Sequence, residues 1–191
     1  DLHDDIGSNL GGIVLLSEIG GKQSADPQSR KDFQAIKEAA DEASESMRDI
    51  VWLIHRGGSG LRELVARMRQ ASRMMLGDKE LVTEVEPADL KDRQLSLLFR
   101  RHVFFAFKET LNNVRKHADA ERIEARIHVD SSRLTFTVRD DGIGFDPQTA
   151  QSQGRGLGNL KRRAARLKGS CRIESRPGQG SVVTFSVPLK S

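Results

Sequence analysis

The chain has 191 residues, 37% hydrophobic and 30% charged, a composition that excludes a disordered polypeptide and fits one large or two small globular domains. Its 31 basic and 27 acidic residues are interspersed and leave a net charge of +4, which excludes a chain-wide nucleic-acid-binding field but allows local basic patches. The single cysteine, Cys171, permits no internal disulfide and builds no metal site, and no run of about eighteen apolar residues offers a membrane span.

The sequence opens at Asp1, inside an amphipathic pattern and without a basic-then-apolar leader. It is therefore expected to be a piece of a longer protein, cytoplasmic in this region, with any sensor or membrane anchor lying upstream. Leu2, Ile6, Leu10, Ile13 and either Leu16 or Ser17 recur at three- and four-residue steps, which predicts a first helix with one apolar stripe, ending near Gly20-Gly21. A loop is expected over 21–29. In the second helix Phe33, Ile36, Ala40, Ala43, Met47, Ile50 and Ile54 follow alternating steps of three and four, the pattern of a bundle or coiled-coil seam. Two such helices cannot bury both sides of their stripes alone, so a four-helix bundle formed by homodimerisation is the economical solution, with docking onto the rest of the chain as the alternative.

Arg56-Gly57-Gly58-Ser59-Gly60 has the composition of a flexible hinge, and the periodicity changes after it. This divides the chain into a helical hairpin over 1–56, a hinge over 57–60 and a second domain over 61–191. Within the second domain the pattern predicts a helix over 61–76, a strand over 81–85 and a long helix over 93–117. Strands follow over 122–129 and 134–139, then a helix over 157–167 and strands over 171–175 and 182–187. Leu134, Phe136 and Val138 alternate with Thr135, Thr137 and Arg139, so one sheet face is expected to be buried. Cys171 falls in such a run, which predicts a reduced, buried thiol. Pro177-Gly178-Gln179-Gly180 marks the turn of an antiparallel hairpin. The expected fold class is α+β: a two-helix hairpin in a dimeric bundle, followed by an α/β sandwich with helices on one face of a mixed sheet.

Three short stretches carry chemistry. In Glu109-Thr110-Leu111-Asn112-Asn113, a carboxylate and an amide lie one helical turn apart, and His117 continues the same face with Lys116 beside it. In Asp140-Asp141-Gly142-Ile143-Gly144, a carboxylate at a strand end, which only accepts hydrogen bonds, is followed by glycines that permit a tight turn. In Gly154-Arg155-Gly156-Leu157-Gly158, glycines open a helix whose free N–H groups and dipole favour phosphate. The helix after them carries Lys161, Arg162, Arg163, Arg166 and Lys168 opposite Leu157, Leu160, Ala164 and Leu167. This basic side is expected to be a solvated outer face, with phosphate contact or an acidic partner as the alternative.

In this order the three motifs resemble the N, G1 and G2 boxes of the histidine-kinase, gyrase and Hsp90 ATPase superfamily, over 61–191. The resemblance implies an ATP site in which Asn113 ligates Mg²⁺ and Glu109 orients the metal's water shell. It also implies that Lys116 and His117 approach the phosphates and that Asp140 meets the exocyclic amine of adenine. Gly142 and Gly144 shape the turn beneath the base, and Gly154, Gly156, Leu157 and Gly158 form the phosphate loop after a short lid over 145–153. Gly178-Gln179-Gly180-Ser181 resembles the family's closing Gly-x-Gly-Thr element, with the hydroxyl kept at Ser181.

Near the start, Asp1-Leu2-His3-Asp4-Asp5-Ile6-Gly7 resembles the phosphoacceptor box of two-component kinases that feed LuxR-type response regulators. His3 is the implied nucleophile. Asp4 is placed to hold one ring nitrogen as N–H and leave the other free to attack, and Gly7, one turn on, is expected to leave open space beside the imidazole. Many members of that subfamily carry glutamine five residues after the histidine, where this chain has Ser8, so dephosphorylation of the regulator by that route is not implied. Two other readings compete: a gyrase-like or serine-phosphorylating ATPase without phosphohistidine transfer, and a dimeric scaffold that only binds nucleotide.

Overall fold

A computed structural model describes residues 2–54, 60–147, 149 and 156–189, with the side chains of residues 2–5 and of Ile54 outside that description. The chain forms two compact units, 1–57 and 58–191.

The first unit is a helical hairpin of α1 (Leu2–Gln23) and α2 (Pro27–Ile54). The expected loop over 21–29 shrinks to residues 24–26. Asp26 caps α2, its Oδ2 accepting the Ser29 N–H at 2.8 Å and the Ser29 hydroxyl at 2.6 Å, and Pro27 fills the first helical position, where a missing N–H costs nothing. Those hydrogen bonds from Ser29, the side-chain one foremost, hold the Asp26 carboxyl below its ordinary pKa. Gly20 does not end α1. It packs against α2 so closely that a Cβ there would lie 2.6 Å from the Phe33 ring.

The expected stripes divide. On α1, Leu10, Val14 and Ser17 are half-buried or buried, whereas Ile6, Ile13, Leu15, Leu16 and Ile19 are exposed. On α2, Phe33, Ala40 and Met47 are covered, while Ile36, Ala43 and Ile50 point outward. Each of the two α2 sets is spaced by sevens, so the single seam read from the sequence on α2 is two seams, one closed within the hairpin and one open. Gly7 lies on the covered side, where an added Cβ would be 3.5 Å from Met47 Cε, so the space this glycine frees is occupied by α2 rather than open.

In the second unit the elements are α3 (Leu61–Leu76), β1 (Glu80–Glu86), α4 (Leu97–Asn113) with a π-helical turn over Val114–Ala118, β2 (Arg122–Val129), β3 (Arg133–Asp140), α5 (Gly156–Arg166), β4 (Ser170–Ser175) and β5 (Ser181–Pro188). The sheet order is β1-β2-β3-β5-β4, with β1 parallel to β2 and every other pair antiparallel. This is the mixed sheet the alternation predicts. Leu134, Phe136 and Val138 are buried together with Ile123, Ala125, Ile127, Phe185 and Val187. Phe136 stacks on Phe185 with centroids 5.0 Å apart and meets Phe107 of α4 edge-on at 5.2 Å. Such aromatic pairs add roughly 1 kcal/mol each beyond their area burial. The opposite sheet face is polar, with Thr135 and Ser186 hydroxyls 2.8 Å apart and Arg126 paired to Glu84 at 3.0 Å.

Two boundaries differ from the sequence reading. The long helix starts at Leu97 and not at Arg93, because Ser96 caps it by accepting the Phe99 N–H at 3.2 Å, while the Arg93 carbonyl accepts the Leu61 N–H at 2.9 Å. That bond fixes the start of α3. Gly60 is buried, bridges to Gln94, and sits against the Asp92 carboxylate, whose Oδ1 accepts the Arg62 N–H at 3.0 Å in place of a local cap. The last residue of the expected hinge is therefore built into the second unit, and residues 57–59 lie outside the described residues. Cys171, on edge strand β4, is a free thiol that is half-buried and not buried, and desolvation pushes its pKa up to about 11.

Candidate nucleotide site

A cleft of about 440 Å³ opens between the end of α4, the β3 end and the start of α5. Of the residues singled out in the sequence, Asn113, His117, Asp140, Gly144, Gly156, Leu157 and Ser181 line it. Asp140 ends β3 and is 4% exposed. Its Oδ1 accepts the Gly142 N–H at 3.0 Å, and its Oδ2 accepts the Ser181 hydroxyl at 2.5 Å. Register explains the second bond, since Asp140 is paired with Ser181 across β3 and β5. A carboxylate has about four lone-pair sites, so this one, held from two directions, keeps acceptor capacity for a donor in the cleft.

The turn after Asp140 leaves no room for a side chain at either of its glycines. A Cβ at Gly142 would lie 2.0 Å from the Ala118 carbonyl oxygen, the same oxygen that accepts the Ile143 N–H at 2.7 Å. Gly144 has φ of +61° and would meet the Arg176 carbonyl oxygen at 2.0 Å. The next residues are tied to the β4–β5 turn, with Gly178 N–H donating to the Ile143 carbonyl at 2.6 Å and Phe145 N–H to the Ser175 hydroxyl at 2.8 Å. Asp141, the motif's second aspartate, faces away. It caps the entry to β2 by accepting the N–H groups of Arg122 and Glu121, the former foremost in holding its carboxyl below the ordinary value.

At the other end of the cleft, Gly156 opens α5 against α4. An added Cβ would stand 2.6 Å from Glu109 Oε1 and 3.4 Å from Asn113 Oδ1. Glycine is thus what lets the start of α5 approach the carboxylate and the amide. Gly158, in the next position but one, has nothing within 4 Å of its would-be Cβ, so the same steric argument does not apply to it. Glu109 and Asn113 are half-buried, and after Asn113 the backbone turns π-helical, carrying His117 to the cleft wall while Lys116 stays exposed outside that wall. Gly154 and most of the expected lid, Gln148 and residues 150–153, lie outside the described residues, as do the side chains of His3 and Asp4 in the first turn of α1.

Among the described residues no group of three or more histidine, cysteine, aspartate or glutamate side chains could hold a metal ion. The donors at this end are one amide and one carboxylate. Oxygen ligands so few in number fit a hard divalent cation that keeps several waters and shares a polyanion's oxygens.

Thr110, Val114, Ala118, Ile143, Phe145 and Val183 also line the cleft and were not singled out in the sequence. Ile143 and Phe145 lie in or beside the Asp-Asp-Gly-Ile-Gly stretch, and Val183 shares the inward alternation of Phe185, so both carried a signal. Thr110 lies inside the Glu109-to-Asn113 stretch in the same way, and its hydroxyl donates to the Ala106 carbonyl within the helix at 2.9 Å. The basic side of α5 is not uniformly solvated as expected. Lys161, Arg162, Arg166 and Lys168 are exposed, but Arg163 is half-buried, with its guanidinium carbon 5.5 Å from the Phe105 ring centroid.

Two family models match separate parts of the chain. A family model described as histidine kinase-, DNA gyrase B- and HSP90-like ATPase matches residues 100–191, and one described as histidine kinase matches residues 1–59. The sensor histidine kinase LiaS of Bacillus subtilis is 26% identical over 99% of the chain and 52% of its own length. The sensor histidine kinase DesK of the same organism is 26% identical over 100% of the chain and 50% of its own. The chain thus spans about half the length of the curated relatives it matches. Two solved structures share the fold. The histidine kinase domain of the Erythrobacter litoralis EL346 blue-light activated kinase has a TM-score of 0.54 at 17% identity, covering 99% of this chain and 94% of that one. The Acinetobacter baumannii histidine kinase AdeS has a TM-score of 0.55 at 18% identity, covering 96% and 95%.

Proposed function

The chain belongs to the sensor histidine kinases, and on that premise we propose that it is a kinase core that transfers the γ-phosphoryl group of ATP to His3 and then to an aspartate of a response regulator, of the LuxR type. One observation carries the reading: Gly156 brings the start of α5 against Glu109 and Asn113 at one end of a cleft whose other end holds the Asp140–Ser181 pair. A site with a donor-seeking carboxylate at one end and an amide, a carboxylate and free helix N–H groups at the other suits an adenine nucleotide with its phosphates.

In this reading Asp140 accepts the exocyclic amine of adenine and Ser181 holds the carboxylate in register. Asn113 would ligate Mg²⁺, with Glu109 placed to hold the ion's waters. Mg²⁺, when bound, neutralises charge on the phosphates. His117 approaches the phosphates from the π-helical turn, Lys116 beside it contributes charge from outside the cleft wall, and Gly154, Gly156, Leu157 and Gly158 supply the loop around them. His3, oriented by Asp4, attacks the γ-phosphorus in line. The new N–P bond forms as the β–γ bridging O–P bond breaks, ADP leaves, and the imidazole N–H proton goes to solvent. Catalysis of this kind is mostly positioning and charge neutralisation.

The exposed Ile6, Ile13, Ile36 and Ile50 support a homodimer that closes the hairpin into a four-helix bundle. Among the described residues no helix is long and apolar enough to cross a membrane.

The test is incubation with labelled ATP and Mg²⁺, followed by the stability of protein-bound label. Phosphohistidine is lost in acid, survives base and is absent from His3→Ala. Label that persists in His3→Ala refutes the assignment of His3. ATP turnover without bound label would favour a gyrase-like ATPase, and binding alone a nucleotide scaffold.

A further inference from the structure

We propose that Ser175 is a positioning residue for base selection: its hydroxyl ties the turn that follows Asp140 to the turn that precedes Ser181, and so fixes the base end of the cleft. This rests on the nucleotide reading above and adds to it a residue that lies behind the cleft wall.

Two glycine turns meet at that end. Residues 142–144 follow the carboxylate that ends β3, and residues 178–180 lead into Ser181 at the start of β5. Gly144 and Gly180 both have positive φ, +61° and +67°, and each approaches the opposite segment closely. A Cβ at Gly144 would collide with the Arg176 carbonyl oxygen, and one at Gly180 with the Asp140 carbonyl oxygen. The Gly178 N–H donates to the Ile143 carbonyl at 2.6 Å, a main-chain tie that no substitution of a side chain removes.

Ser175 adds a side-chain tie. Its hydroxyl accepts the Phe145 N–H at 2.8 Å and donates to the Gly180 carbonyl at 2.7 Å. A hydroxyl carries one proton and two lone pairs, so this one group satisfies a donor on one side and an acceptor on the other. Strand register puts it there, because Ser175 ends β4 in pairing with Ser181. The bond to Gly180, five residues on, would by itself be ordinary closure of a hairpin. The bond to Phe145 is not, since it reaches 30 residues back to a segment the hairpin does not need. Gly144 and Phe145 line the cleft with Asp140 and Ser181, whereas Ser175 does not. Its bridge therefore spans the carboxylate assigned to adenine and the serine that holds it. Loss of the bridge should loosen the fit to the base and spare the Glu109–Asn113 end.

Two variants of the full chain test this. Ser175→Ala removes both hydrogen bonds, and Ser175→Thr keeps the hydroxyl. Calorimetric titration with a non-hydrolysable ATP analogue and its guanine counterpart is run with and without Mg²⁺, alongside thermal melts. For Ser175→Ala we expect the preference for adenine over guanine to fall by about fivefold, while the gain in affinity on adding Mg²⁺ stays within about twofold of wild type. Ser175→Thr recovers most of the preference. Wild-type preference in Ser175→Ala, with or without a lower Tm, overturns the proposal, as do equal losses in the two variants. If the wild-type chain forms no phosphohistidine, the kinase reading fails, while the base preferences still decide the role of Ser175. A wild-type chain that binds the two bases alike overturns both.

Discussion

Ser181 and Asp140, 41 residues apart in sequence, are joined by a hydrogen bond of 2.5 Å in which the serine hydroxyl donates to the carboxylate. The bond exists because β3 and β5 are paired antiparallel with these two residues in register. It places the closing Gly-x-Gly-Ser element in direct contact with the residue assigned to adenine.

Loss of that donor is expected to weaken ATP binding without harming the fold. A hydrogen bond to a charged group is worth about 1.5–3 kcal/mol, so Ser181→Ala should raise the Kd for an ATP analogue at least tenfold, and Ser181→Thr should restore it. Asp140→Asn should lose more, because the amide presents donors as well as an acceptor to the adenine amine. Calorimetry on the three variants is the measurement. Unchanged affinity in Asp140→Asn would remove Asp140 from the site.

The glycines of the phosphate loop are expected to behave unequally. Gly156→Ala would drive a methyl to within 2.6 Å of Glu109 Oε1 and displace the carboxylate, so Mg²⁺-dependent nucleotide affinity should fall by about tenfold or more. Gly158→Ala meets no protein atom within 4 Å and replaces a glycine inside a helix, which should stabilise the second unit by up to about 1 kcal/mol and weaken Mg²⁺-dependent binding less than Gly156→Ala does. Melting curves and titrations on the pair distinguish a loop that needs flexibility throughout from one that needs a single close approach.

That contrast was not legible in the sequence, where the three glycines look alike. Legibility followed period and ended where neighbours from distant elements decide. The two-residue alternation of Leu134, Phe136 and Val138 gave the buried sheet face correctly because burial on one face is a local pattern. Asp140, Asn113 and Gly156 were marked by residue type and order, and they do line one cleft. By contrast, the polar run 21–29 reads as a loop, and it is shortened from both sides, by α1 continuing to Gln23 and by the cap that Asp26 forms with α2 starting at Pro27. Arg163 sat in a string of basic residues, and nothing local told it from Arg162; the difference is the Phe105 ring on another helix. The heptad seam of α2 hid two faces, since spacing by sevens does not say which set meets α1.

The open seam predicts an assembly. Ile36 is 48% exposed and Ile50 is 49% exposed, and neither contributes to closure of the hairpin. A charge at either position should therefore act on association, with little effect on the hairpin itself. In light scattering after gel filtration, Ile36→Glu with Ile50→Glu should shift the mass from twice the 21.2 kDa chain toward one chain, while helical content is retained. A double variant that remains dimeric would move the interface to another surface.

A pH dependence follows from His102. It is 4% exposed, and its Nδ1 has no hydrogen-bond partner among the described residues. Burial, foremost, and then the charges of Arg163, Arg166 and Arg101 push its pKa below the ordinary value. The folded state thus favours the neutral imidazole, whereas the unfolded chain binds a proton near pH 6.5. Stability is complete above that value and falls as pH drops through it, because the unfolded state then binds more protons. Carboxylates act in a different window. Asp130 is held low mainly by hydrogen bonds from Ser132, with Arg133 adding to them, and Asp141 by the Arg122 N–H, so their contributions are lost only below about pH 4. The fall in Tm of the second unit between pH 7 and 5 should accordingly belong to His102 and flatten in His102→Gln. A variant with the wild-type slope would assign the acid sensitivity to another group.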